Sequence, residues 1–590
     1  MSKLKKKKLK LLPLLVIKIF LISVLFYLYF NSTQAVEGEF SNEIYLLSVS
    51  KGENNSIIGE RLIPLSLRIV PGTGDVFVHS NGILETDTQL SLRNSQSTTC
   101  TLLSLDCTSY DFYYSFTQDN LVLEGPSAGA AIAILTAKTL LNERIPKDIG
   151  ITGALSSGGV IGVVGGVPEK ITLTEKFGFK KIIVPYLSSY NESIDHDIEI
   201  VKSLDLLEAL SEFDSQIILT NTKEIEKEQY SLLMKKLSND LCSRSDYLLE
   251  EITVIEDNST QNLLFIQAET ALNSSKLADK RESYYSKGSF CFGANNNLKS
   301  IVELQKNHSK KDLELLLNES LLLIEEKHFE VNSEKYKQSI ITLNDFYVWL
   351  IINDRISESK TFLKNSLNEY QSYNESLNIS FPLPGVTLGY AYAQERLLTV
   401  KLWEEFIVHQ GEKISFSSDT LAQTCNSLYN EIILKSKVLE QYEVTFFEED
   451  LKSFEEKLQK PFFEANCIYT SLELSGRIDT VISSLGVAQN SSDEFANKLF
   501  NVAKTRLSLH TEDSFPLIPF IYFDYAEELY IQGDYSSSLL YTNYALSFGN
   551  LELYLHKDET RKEMLRNSVR EISIHPAFIF ALLLILGFLG

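Results

Sequence analysis

Two hydrophobic rhythms divide this chain. From Tyr45 to Val122 the sequence carries strand-like runs, as in ERLIPLSLRIVPGTGDVFVHS at 60–80, broken by Pro-Gly-Thr-Gly. From Lys223 to Asn567 apolar residues recur at intervals of three and four, as in DLELLLNESLLLIEE at 312–326, with few glycines or prolines. That period predicts helices, arranged as antiparallel pairs. Between the two lies the stretch on which the functional reading turns, Leu123–Lys170.

In that stretch Leu121–Leu123 reads as a short strand, Gly125-Pro126-Ser127-Ala128-Gly129 as a tight loop, and Ala128–Leu141 as a helix apolar on most faces with Lys138 as its only charge. Ser127 then sits at a helix N-terminus, where unpaired N–H groups and the helix dipole favour developing negative charge. Ile149–Thr152 and Val160–Val164, separated by Ser-Ser-Gly-Gly, predict a hairpin. Gly165-Gly166 follows, and Pro168 sets the start of a helix from Glu169 to about Phe177. Lys170 falls in its first turn, where the dipole disfavours a cation, and its surroundings at 161–167 are apolar and glycine-rich. A serine hydroxyl is a weak nucleophile until a base takes its proton. A lysine can be that base only when neutral, which burial promotes. Taken singly, the serine reads as a helix cap and the lysine as solvated surface; their co-occurrence around Thr152-Gly153 changes the balance.

The segment resembles the proteolytic domain of Lon-type serine-lysine peptidases: GPSAG, the Thr-Gly pair and GG-x-x-x-K occur in the family's order. The resemblance implies that Ser127 is the nucleophile and Lys170 the general base. It also implies that Thr152, with Gly153, supports the lysine amine, and that the N–H groups of Ser127 and Ala128 receive the oxyanion. Glu124 beside the loop would shape the site's field or stand as an edge carboxylate. The stretches 76–93 and 110–113 are similar to an archaeal, ATPase-free branch, 180–185 and 198–213 match the strand and final helix that close the domain, and the likeness covers roughly Glu43–Asp214. Asp87 and Gln89 match that branch but read as ordinary helix caps. The histidines that many Lon proteins carry before the nucleophile loop are missing from 109–123, and no GxxxxGK[ST] occurs. The expected fold is therefore an α+β Lon-type proteolytic domain at 40–220 followed by a large all-α, helical-hairpin or solenoid-like region at 221–571. Within that region Tyr525–Phe548 resembles a single tetratricopeptide-type hairpin, and Trp349 and Trp403 read as core.

Composition places this architecture. A net charge of −23 argues against nucleic acid as a general partner. Met1–Lys10 carries six lysines ahead of the apolar run Leu11–Phe30, so residues 1–35 read as a signal peptide or N-terminal membrane anchor with the bulk of the chain extracytoplasmic or secreted. The apolar end, 572–590, is a candidate second membrane segment or a buried terminal helix. Six cysteines fit an exported chain, with Cys100–Cys107, Cys242–Cys291 and Cys425–Cys467 the simplest pairing. Sequons begin at ten asparagines, Asn273 and Asn318 among them. No cofactor and no metal are expected, since no Cys/His ligand cluster appears.

The function these features imply is an ATP-independent, exported or membrane-anchored serine endopeptidase acting on flexible or unfolded protein or peptide substrates. A homo-oligomer is compatible with the Lon resemblance. The alternative is a surface scaffold whose helical region binds partners while the peptidase domain is inactive or cuts only itself. A phosphate-cradling kinase loop is a remoter reading, lacking the longer Gly/Ser loop and the metal-binding carboxylate.

Overall fold

The computed structural model describes residues 40–555 apart from short interruptions, the longest being 52–56, 118–121, 191–195, 214–227, 373–383, 456–463, 485–491 and 509–515. The segments 1–35 and 572–590 lie outside the described residues. Among those described, no helix is long and apolar enough to cross a membrane.

The lead-in is a four-stranded sheet. β1 (Phe40–Lys51) and β2 (Ile57–Pro71) form a long antiparallel hairpin, β5 (Tyr110–Phe116) adds antiparallel to β2, and β3 (Val76–Ser80) runs parallel to β5. Alternation decides which face is buried: Ile63, Leu65, Leu67 and Ile69 of β2, and Phe112, Tyr114 and Phe116 of β5, are wholly inaccessible. β4 (Ile83–Leu84) and β6 (Val122–Leu123) make a short parallel pair. Against the sheet lie α1 (Thr86–Leu102) and α2 (Gly129–Leu140). α2 is buried from Gly129 to Thr139, as its apolar sequence predicts. Its one charge is inside the protein and matched: Lys138 Nζ donates to Glu143 Oε2 and to the Phe213 carbonyl, both at 2.8 Å. α1 runs on to Leu102 through Ser- and Thr-rich sequence that disfavours helix in isolation. Tertiary contacts hold it, because Ser95 Oγ donates to the Gly129 carbonyl at 2.8 Å and Cys100 is bonded to Cys107.

The predicted hairpin is corrected in its first strand. Ile149–Ile151 (β7) does not turn back on 160–164 but lies in a parallel sheet of order β11-β10-β7, with β10 (Lys181–Pro185) and β11 (Glu199–Ser203). The hairpin is made instead by β8 (Ala154–Leu155) and β9 (Ile161–Gly162). The break falls at Gly153, directly after the Thr152 N–H has continued the pairing to β10 by donating to the Ile183 carbonyl at 3.1 Å. α3 (Val167–Lys176) packs on the parallel sheet, and α4 (Leu206–Glu212), capped by Asp205 accepting from the Glu208 N–H, closes the region.

From Glu228 the chain is helical: α5 (Glu228–Glu251), α6 (Thr260–Lys280), α7 (Tyr284–Gln305), α8 (Lys310–Val331), α9 (Glu334–Lys337), α10 (Leu343–Ser372), α11 (Pro384–Glu404), α12 (Ser418–Gln441), α13 (Glu464–Ser484), α14 (Ser492–Leu507), α15 (Leu517–Ile531) and α16 (Tyr535–Phe548). Chain neighbours pack as pairs, α6 with α7, α10 with α11 and α15 with α16. The last pair is the Tyr525–Phe548 hairpin, its turn made by Gly533 and the Asp534 cap of α16. Cys242–Cys291 ties α5 to α7 and Cys425–Cys467 ties α12 to α13. Trp349 and Trp403 lie in the core. That core also takes in Val160 and Leu204 of the α/β region, so the two regions share one buried surface. Across the same junction Tyr186 Oη donates to Glu494 of α14, and Lys498 Nζ stands 3.4 Å from the centre of the Tyr186 ring. Asn273 and Asn318 are exposed.

Candidate active site

Three turns converge on the site, and two of them depend on glycine for close approach. The first is the 3-10 turn Pro126–Ala128, which runs straight into α2. A side chain at Gly129 would put its Cβ 2.8 Å from the Leu155 nitrogen, so the start of α2 lies against β8 only because residue 129 has none. The second is Thr152-Gly153, where a Cβ on Gly153 would meet Ile161 Cγ2 at 2.3 Å. The third is Gly165-Gly166, which caps α3 and presents Lys170 from that helix's first turn, the Lys170 N–H donating to the Gly166 carbonyl at 2.9 Å.

Backbone hydrogen bonds lock the first two turns together. The Gly153 N–H donates to the Ser127 carbonyl at 3.0 Å, and the Ala130 N–H donates to the Gly153 carbonyl at 2.9 Å. Side chains then extend the network to the third turn. Lys170 Nζ donates to Thr152 Oγ1 at 3.0 Å, and Thr152 Oγ1 donates to the Ser127 carbonyl at 3.3 Å. A hydroxyl has one proton to give. Since that of Thr152 goes to the Ser127 carbonyl, its oxygen accepts from the amine and leaves the lysine lone pair unused. No hydrogen bond joins the Ser127 hydroxyl to the Lys170 amine; the two are coupled through Thr152. Ser127 itself is half-buried.

Electrostatics follow from burial. Lys170 is 4% exposed and Thr152 1%. Burial pulls the Lys170 amine down from its usual 10.5 to about 8, against the opposing pull of the neighbouring Glu169 charge. The apolar wall responsible includes Val164, Val167 and Ile171, all buried. A base with that pKa is substantially neutral in mildly alkaline water, whereas an ordinary lysine is not.

The two backbone donors named for the oxyanion differ in this geometry. In a 3-10 turn each N–H pairs three residues back. That takes up the Gly129 N–H with the Pro126 carbonyl, whereas the Ser127 N–H lies ahead of that bond in the turn. Glu124 lies outside the described residues, as does the side chain of Asp87. Gln89 is structural, its Nε2 donating to the Leu84 carbonyl at 3.0 Å. Sequence reasoning missed Ser95 and Ile183, which hold the Gly129 carbonyl and the Thr152 N–H in place. Ile183 acts through its backbone, so its side chain carries no signal. Among the described residues no group of three or more His, Cys, Asp or Glu is arranged to hold a metal ion.

Comparison with known proteins agrees with this geometry. Residues 91–212 match the family model described as the Lon protease (S16) C-terminal proteolytic domain. An archaeal Lon protease of Methanocaldococcus jannaschii is 34% identical over 103 residues, 17% of this chain and 16% of the relative. The Lon protease of Paraburkholderia phytofirmans is 26% identical over 188 residues, 31% of this chain and 23% of the relative. An archaeal Lon protease of Thermoplasma acidophilum is 26% identical over 186 residues, 30% of this chain and 26% of the relative. The chain thus spans about a quarter or less of the length of these curated relatives. What it shares with them is a proteolytic domain of the Lon type, here followed in one chain by a helical region that the family model does not cover.

Proposed function

We propose that the chain is a serine endopeptidase in which Ser127 attacks the scissile carbonyl, Lys170 takes the serine proton, and Thr152 holds the amine in register. The observation that carries this reading is the buried Lys170 amine, with its pKa near 8, bonded to a hydroxyl that is itself bonded to the backbone of the nucleophile turn. Acylation forms the Ser127 ester and moves the hydroxyl proton to Lys170, which then returns it to the leaving amine. Water, deprotonated by the same lysine, hydrolyses the ester. The Ser127 N–H and the positive end of α2 offset the oxyanion charge.

The reaction proceeds without ATP, acting on flexible or unfolded segments, a reading supported by a sequence without the GxxxxGK[ST] loop that cradles a nucleotide triphosphate. Its setting is extracytoplasmic, by secretion or an N-terminal anchor. Three disulfides support an oxidising compartment, together with the basic, apolar leader. The decisive experiment is casein cleavage at about pH 8–9 by the full chain and its Ser127→Ala variant, with intact-mass analysis of both proteins. Activity lost with Ser127 supports the reading. Cleavage that persists in the variant refutes Ser127 as nucleophile, and an inert wild type favours the scaffold alternative.

A further inference from the structure

Beside the nucleophile turn is a cavity of about 40 Å³ whose walls come from both regions of the chain. Pro126, which precedes Ser127, lines it, as do Ala154 and Leu155, which follow the Thr152-Gly153 pair. The helical region contributes a wall of its own: Lys435 of α12 and Asp479 and Ile482 of α13. The contact between regions is direct, because a Cβ built on Gly162 of β9 lies 3.6 Å from Ile482 Cγ2. The helical region is therefore part of the lining of the cavity next to the nucleophile turn.

The chemistry of that wall sets what can enter. Lys435 is 3% exposed and donates to Ser475 Oγ at 2.7 Å and Asp479 Oδ2 at 3.0 Å, with Glu431 Oε1 at 3.2 Å as its third neighbour. An ammonium has three protons. All three have takers, so Lys435 offers nothing to an incoming carboxylate. One cation among two carboxylates leaves the group net negative, which repels acidic side chains. Size excludes the rest. A water-sized group needs roughly 10–15 Å³, so the cavity takes a side chain of about three or four heavy atoms. Long basic and aromatic side chains exceed that volume.

We propose that the helical region completes a substrate pocket beside Ser127, with Ile482 as its size-limiting wall, so that cleavage falls next to small uncharged residues such as alanine and serine. This rests on the peptidase reading given above. It gives the helical region a defined task, which is to restrict the sequences that a bare proteolytic domain would accept.

The test maps cleavage sites by mass spectrometry in a denatured-protein digest, using the full chain as wild type, Ile482→Ala, Gly162→Ala and Ser127→Ala. Wild type should cut next to alanine and serine. Ile482→Ala, by shortening the wall, should raise cleavage next to leucine and methionine about tenfold relative to alanine, the scale on which pocket methylenes discriminate. Gly162→Ala adds a methyl at ordinary contact distance from Ile482 and Ala154, so it narrows the cavity without a clash and should depress cleavage next to serine. It also keeps the test open if Ile482→Ala fails to fold. Ser127-dependent cleavage with one unchanged profile in wild type and both pocket variants overturns the pocket while leaving the peptidase standing. Absence of Ser127-dependent cleavage in all of them overturns the peptidase reading, and the pocket with it.

Discussion

Lys170 Nζ donates to Thr152 Oγ1 at 3.0 Å in a place where both side chains are closed to water. The bond fixes where the amine points without adding a charge. A carboxylate at residue 152 would have stabilised the ammonium form and raised the pKa; a hydroxyl leaves burial as the dominant influence, and the amine falls to about 8. The consequences are measurable.

Activity should rise with pH and level off, with a midpoint of about 8 in kcat/KM, because only neutral Lys170 accepts the serine proton. A profile flat from pH 6 to about 10 would remove Lys170 from the role of base.

Lys170→Met should abolish cleavage and stabilise the fold. The amine is held at about 8 against 10.5 in the unfolded chain, so between those values the unfolded state binds more protons and wild-type stability climbs with pH. Below about pH 8 the wild type carries the whole cost of the buried ammonium, roughly 3 kcal/mol. The variant's advantage in urea unfolding should therefore be greatest at pH 7 and shrink between 8 and 10.5. A variant less stable than wild type at pH 7 contradicts this account of the site.

Thr152→Val and Thr152→Ser separate orientation from packing. Valine keeps the shape but loses both the acceptor for Lys170 and the donor to the Ser127 carbonyl, so kcat should drop by up to about 100-fold. Serine restores both bonds and should recover most of the rate. Equal losses in the two variants would mean that the threonine methyl, not its hydroxyl, matters.

Gly129→Ala tests the approach of α2 to β8. Its Cβ would sit 2.8 Å from a backbone nitrogen, which cannot rotate away. The helix start and hairpin must part, at a cost of about 1–3 kcal/mol by the usual scale of overpacking. A thermal unfolding midpoint equal to that of wild type would show that the turn tolerates the shift.

Cys425–Cys467 joins α12 and α13, the two helices that bring Lys435 and Asp479 to the cavity next to the nucleophile turn. Its sequence separation of 42 gives a chain-entropy contribution of about 4 kcal/mol. Replacing both cysteines by serine should lower stability on that scale, read by denaturant unfolding, and blur cleavage specificity before it removes cleavage. Unchanged stability would mean that the helices are held by packing alone.

Much of this was legible in the order of residues. The small-residue loop around Ser127, the Thr-Gly pair and the lysine behind two glycines are local signals, because turns and helix starts depend on residues within one turn of each other. The apolar character of 128–141 and the three-four period after Lys223 likewise announce buried and amphipathic helices from short windows. The pairing of β7 is not legible for a matching reason: Ile149–Ile151 suits either a hairpin or a parallel strand, and the choice belongs to Ile183, more than 30 residues away. The length of α1 was hidden too, since Ser95 and Cys100 hold their places through Gly129 and Cys107 rather than through helix propensity.

The sequence alone determined which groups are available for chemistry and that a helical region follows them. Only the tertiary structure decided that the Lys170 amine is dry, that Thr152 rather than Ser127 receives its hydrogen bond, and that Ile482 and Lys435 line one cavity with Pro126. Desolvation, and contacts between residues hundreds of positions apart, depend on the whole packed chain, and no local window of sequence contains them.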